Sequence, residues 1–132
     1  MRKVLKKSLA AVIAVAVSAT TLSTVAFAES KSKNFGVGTA TATAYLSVSG
    51  DKGSSSTSLN RSGGRVDVSV LGKYYMRSSG KVSSTGYGGF GETAASAGVS
   101  KPSSSYWIYV SSEHMGSYEG SYGSTSLEIK LS

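Results

Sequence analysis

The segment YWIYVSSEHMGSYEGSYG, Tyr106 to Gly123, holds the chain's one His, its one Trp and four of its eight Tyr. His114 stands close to Ser111 and Ser112, and an imidazole beside a hydroxyl is the core of a hydrolytic nucleophile. Serines are so frequent in this chain that proximity selects none of them, and there is no GxSxG elbow to expose one on a sharp turn. A zinc or copper centre wants at least two imidazole or thiolate ligands, and the chain offers one His and no Cys. His114 is therefore expected on a loop or a strand edge, outside catalysis.

The carboxylates give no stronger lead. Asp51, Asp67, Glu92, Glu113, Glu119 and Glu128 are scattered singly, so a glycosidase-like pair would have to be assembled by folding. Asp67 shares its parity with Arg65 and Lys73, which favours a surface ion pair. Glu113 and Glu119 flank a Gly/Ser/Tyr stretch that could hold calcium weakly, but the DxDxDG spacing of a calcium loop is missing. The glycines form neither GxGxxG nor GxxxxGK[ST], and no phosphate-cradling loop is indicated. No cofactor or metal is implied.

Aromatic side chains carry more. Tyr45, Trp107 and Tyr109 fall opposite the apolar parity of their strands, and Tyr118 and Tyr122 follow in SYEGSYG. Exposed rings stack on sugars or anchor a protein partner, because they offer area and a polar tip at low entropic cost. With His114, these residues make up the candidate binding surface. The competing reading places Trp107 in the core and reverses the two faces of its strand.

The elements that must position these residues are strands. Ala40, Ala42, Ala44, Leu46 and Val48 alternate with Thr39, Thr41, Thr43, Tyr45, Ser47 and Ser49, the period of a half-buried strand running on from Val37. A turn is expected at Gly50 to Gly53, then a short polar strand over Ser54 to Asn60 centred on Leu59 and a turn at Arg61 to Gly64. Val66, Val68 and Val70 mark a second firm strand, with Gly72 inviting a bulge or a close backbone approach. KVSSTGYGGFG, Lys81 to Gly91, reads as a distorted strand or wide loop. Strands follow over Glu92 to Ser100, with Thr93, Ala95, Ala97 and Val99 on one parity, over Tyr106 to Ser112, with Tyr106, Ile108 and Val110 on the apolar side, and over Ser126 to Leu131. The stretch Glu113 to Gly123 reads as an aromatic loop. Six to eight strands with turns every 8 to 12 residues predict an all-β fold, a small antiparallel β-sandwich, with a small open barrel as the alternative.

Upstream, Arg2, Lys3, Lys6 and Lys7 precede an apolar run and Ala26-Phe27-Ala28, the pattern of a secretory signal peptide cut after Ala28. Its apolar core, Leu9 to Val17, is far short of the roughly 20 residues a spanning helix needs. The expected organisation is a signal peptide over 1–28, a flexible segment over 29–36 and one β domain over 37–132, secreted and without a membrane-spanning segment. Removing the four leader cations lowers the formal charge from +7 to +3. No Lys/Arg cluster remains, which removes the case for nucleic acid.

These features favour a non-enzymatic interaction protein that binds a protein or cell-envelope polymer, or copies of itself. Export, mild positive charge and a Cys-free Gly/Ser/Tyr composition also resemble the small secreted bacteriocins of the lactococcin 972 type, a resemblance that implies antibacterial action and transfers no site residue. A small hydrolase is the weakest reading.

Overall fold

The computed structural model describes residues 28–131; apart from Ala28, the expected leader lies outside the described residues. Eight strands follow in order: β1 (Ala28–Val37), β2 (Ala40–Ser49), β3 (Lys52–Leu59), β4 (Arg65–Met76), β5 (Lys81–Gly91), β6 (Ala94–Ser100), β7 (Ser105–Tyr118) and β8 (Ser121–Lys130). They form two four-stranded antiparallel sheets, β1-β2-β3-β6 and β5-β4-β7-β8, packed as a β-sandwich. Among the described residues no helix is long and apolar enough to cross a membrane.

Alternation places the interior. Ala40, Ala42 and Ala44 of β2 are fully covered, as are Val66, Val68 and Val70 of β4. The core divides along the strands. One end packs Val37, Ala40, Ala42, Leu59, Val66, Val68 and Ala95; the other packs Leu46, Val48, Val70, Val99, Trp107, Val110 and Ile129. Small alanines suffice in the first cluster because valines of β4 stand opposite. The larger Trp107, Leu46 and Ile129 fill the second.

Four expectations are corrected. The polar ESKSKN segment belongs to β1, paired with β2 from Ala28–Ser49 to Val37–Ala40. Alternation could not reveal it, because Glu29 to Asn34 are exposed on both faces and only Phe35 and Val37 reach the core. The strand expected to run on from Val37 breaks at Gly38, where φ is 64°. Lys81 to Gly91 is a full strand, paired with β4 at every position. Its glycines serve close passage rather than distortion: a Cβ at Gly89 or Gly91 would strike the carbonyl oxygens of Ser96 or Ala94 on β6. Finally, the loop expected over Glu113 to Gly123 is strand on both sides of a two-residue turn. Glu119 and Gly120, with φ of 49° and 81°, supply the two positive φ values of a type I′ hairpin.

Candidate binding face

His114 is wholly buried, a correction to its expected place on a loop or strand edge. Its partners are hydroxyls from both sheets. Thr57 Oγ1 lies 2.7 Å from Nδ1 and Ser112 Oγ 2.7 Å from Nε2, with Ser55 Oγ at 3.5 Å from Nε2. Thr57 also donates to the Asp67 carbonyl and Ser55 to the Tyr45 carbonyl. One tautomer uses every proton: Nδ1–H donates to Thr57, and Ser112 donates to Nε2. Burial pushes the imidazole below its ordinary pKa, an effect that the Ser56 backbone partly offsets. The group has a nucleophile's neighbours but no substrate can reach it, so its work is to satisfy a polar layer between the two core clusters.

Trp107 is buried as well. Its Nε1 donates to the Gly50 carbonyl at 3.0 Å, and Tyr74 meets its ring edge-on at 6.1 Å. A Cβ at Gly72 would collide with the ring, so the glycine that interrupts β4 makes room for it. The register shifts between Lys73–Tyr109 and Tyr74–Trp107, leaving Ile108 as the extra residue of a bulge on β7. That bulge lets Trp107 and Val110 both face inward. It also turns Tyr106 out, opposite to the parity expected for it. Beside Trp107, the nearly covered Lys101 Nζ donates to Asp51 Oδ1 and to the Ser105 carbonyl, both at 2.7 Å. This ammonium is fully engaged in tying the β2–β3 turn to the start of β7.

With the imidazole and indole inside, the outer face of β5-β4-β7-β8 becomes the molecule's most distinctive surface. Every large hydrophobic residue that is exposed among the described residues lies on these strands: Leu71, Tyr75, Val82, Phe90, Tyr106, Met115 and Tyr122 on the outer face, and Tyr87, opposite Val70, on the inner side of edge strand β5. Register aligns them. Phe90, Asp67, Met115 and Ser124 are cross-strand neighbours, with Tyr122 one step away beside Ser117; Val82, Tyr75 and Tyr106 form another row, next to that of Lys73 and Tyr109. Cations lie over three of the rings: Arg65 over Phe90 at 4.6 Å, Lys73 over Tyr109 at 5.6 Å and Arg77 over Tyr106 at 4.7 Å. Arg65 also pairs with Asp67 at 3.2 Å, within one strand.

The candidate residues are thus dispersed. Tyr109 and Tyr122 share this outer face, Trp107 and His114 are interior, and Tyr118 packs against the first core cluster. Tyr45 stands on the outside of the other sheet, between Ser32 and Ser56. Glu113 and Glu119 do not converge: Glu113 sits in mid-strand and Glu119 in the turn, at least about 17 Å away along β7. Among the described residues no three His, Cys, Asp or Glu side chains gather as a metal site would require. Phe90, Tyr106, Tyr75 and Met115 were not among the candidates. Phe90 was hidden by its glycine neighbours, and Tyr106 by the bulge that inverts its face. Compared with known proteins, the chain matches no family model, no curated protein and no solved structure.

Proposed function

We propose that this is a secreted, non-enzymatic interaction protein that binds a cell-envelope polymer through the outer face of β5-β4-β7-β8. One observation carries the proposal: among the described residues the exposed large hydrophobics all belong to one of the two sheets, and all but Tyr87 stand on its outer face. Clustered apolar surface rimmed by polar groups marks interaction sites, whereas single exposed residues do not. The basic start, the apolar run and Ala26-Phe27-Ala28 support export, which would bring this face to the envelope.

The test is co-sedimentation of the purified protein with envelope fractions of the source organism. Phe90→Ser combined with Tyr106→Ser is expected to leave the protein in the supernatant, while Tyr45→Ser on the opposite face sediments like the parent. Equal sedimentation of all three proteins would refute the assignment of the face.

A further inference from the structure

The binding face is a trough, not a plane. Its middle rows are Gly88, Ser69, Glu113 and Ser126, then Gly86, Leu71, Ser111 and Glu128. These residues are mostly small, and the one long apolar side chain lies low: Leu71 Cδ1 is 3.4 Å from where a Cβ on Gly86 would sit. A groove of about 500 Å³ opens over Ser69, Leu71, Gly86, Tyr87, Ser111 and Glu113. Banks of large residues rise on either side. Phe90, Met115 and Tyr122 form one; Tyr109, Tyr106 and Tyr75 form the other. The rows of Asp67 and Lys73, which begin the banks, are about 20 Å apart along β4, and the floor between them crosses all four strands.

Resting on the envelope-binding reading above, we infer that this trough holds an uncharged glycan chain lying across the strands. Three features of the trough select that chemistry. Tyr and Phe rings on the banks present flat apolar faces to the C–H faces of pyranose rings, with cations already stacked on Phe90, Tyr109 and Tyr106. The floor offers hydroxyls from Ser69, Ser111 and Ser126 and the carboxylates of Glu113 and Glu128. Ion pairs among the described residues are Arg65–Asp67 and Lys101–Asp51, so these two glutamates have no cationic partner and remain acceptors for sugar hydroxyls. Charge then excludes the polyanions. From the row of Arg65 to the bank of Tyr106 the outer face carries four cations, Arg65, Lys73, Lys130 and the Arg77 stacked on Tyr106, against three carboxylates, Asp67, Glu113 and Glu128, two of which lie in the floor. A phosphate-bearing polymer gains little from a face with one excess cation and acids in its floor, whereas a neutral polyhydroxyl chain uses both its rings and its acids.

Isothermal titration calorimetry of the purified protein tests this, with soluble cello-oligosaccharides and chito-oligosaccharides as neutral glycans and wall teichoic acid as the anionic polymer. Saturable binding of at least one neutral glycan is expected, with little dependence on salt. Glu113→Gln keeps the shape and removes the charged acceptor, and is expected to weaken binding by roughly tenfold; Tyr109→Ala should weaken it by a similar factor, and Tyr45→Ala should leave it unchanged. Circular dichroism of each variant checks that it is folded. Sedimentation with envelope fractions that persists without binding to any neutral glycan would overturn the glycan assignment and leave the envelope-binding face standing. Salt-sensitive binding to teichoic acid alone would overturn it equally. A dimer in light scattering that Tyr106→Ser converts to monomer would make a second copy the occupant and end the proposal, and failure to sediment with envelope at all would remove its premise.

Discussion

The outer face of β1-β2-β3-β6 is laid out in small polar side chains: Thr41 and Thr43, Ser47 and Ser49 on β2, with Ser54, Ser56 and Ser58 on β3 beside them. Tyr45 is the one large ring among these β2 and β3 positions. The outer face of β5-β4-β7-β8 uses the same alternation and the same antiparallel ladders, yet shows water the large apolar side chains Phe90, Tyr106, Met115 and Tyr122, each at least half exposed. The first sheet demonstrates how this chain makes a wet face when only β-propensity and hydration matter, since Thr fits a pleated surface without exposing much apolar area. The second departs from that solution. Because both sheets share one interior, packing does not account for the difference, and the departure is what the proposed binding role would require.

If that division holds, substitutions should separate into those that unfold the protein and those that only change what it touches. The largest effect is expected inside. Trp107→Ala removes the side chain that fills the space over Gly72 and donates to the Gly50 carbonyl. It should cost about 3–5 kcal/mol, read as a fall in the urea unfolding midpoint. A shift of a few tenths of a kcal/mol would mean that the second core cluster does not depend on the indole.

His114 gives the next effect, and here pH is the variable. Its folded pKa lies below the ordinary 6.5 because burial disfavours the imidazolium. On acidification the unfolded chain therefore takes up the proton first. The stabilising contribution is complete above about pH 6.5 and is lost as pH falls from there toward the folded pKa, with a slope of at most about 1.4 kcal/mol per pH unit. The side chains facing the ring, Ser55, Thr57 and Ser112, carry no charge that could compensate. Unfolding free energies between pH 7 and 5 should show this loss in the parent and lack it in His114→Gln. Parallel curves for the two proteins would contradict the neutral, buried imidazole.

The sheet-level plan was legible because it is written in alternation: Ala40 to Val48 and Val66 to Val70 keep a strict period, and both lie where that period puts them. Elements without the signal were not legible. From Glu29 to Asn34 β1 alternates polar with polar, so over that stretch its pairing to β2 comes from backbone ladders and leaves no apolar trace. β5 is glycine-rich because β6 passes close by, a fact about a neighbour that the segment itself cannot express. The candidate binding face was missed for a related reason. One bulged residue, Ile108, inverts the parity of everything before it on β7, so Trp107 and Tyr106 exchange sides. His114 was misplaced because its hydroxyl partners, Ser55 and Thr57, come from the other sheet, more than fifty residues earlier.

Substitutions on the two outer faces supply the smaller effects. Phe90→Ser with Tyr106→Ser should change unfolding free energy by no more than about 1 kcal/mol, since each side chain contacts mainly solvent and one arginine. The same pair should sharply reduce retention on a weakly hydrophobic column at high salt. Lost retention with intact stability is what a surface patch predicts. A loss of several kcal/mol would instead show that these rings belong to the fold.

Tyr45→Ser is the quietest change and the one that most directly examines the contrast between faces. Tyr45 is half-buried, with the short side chains of Ser32 and Ser56 as its cross-strand neighbours. Its side chain makes no hydrogen bond among the described residues; the bond from Ser55 goes to its main-chain carbonyl, which the substitution keeps. The expected loss is within about 0.5–1 kcal/mol, with column retention and envelope sedimentation unchanged. Should Tyr45→Ser instead reduce sedimentation as strongly as the Phe90 and Tyr106 pair, the serine and threonine rows around it would have to be part of the contact surface, and the difference between the sheets would no longer mark which one binds.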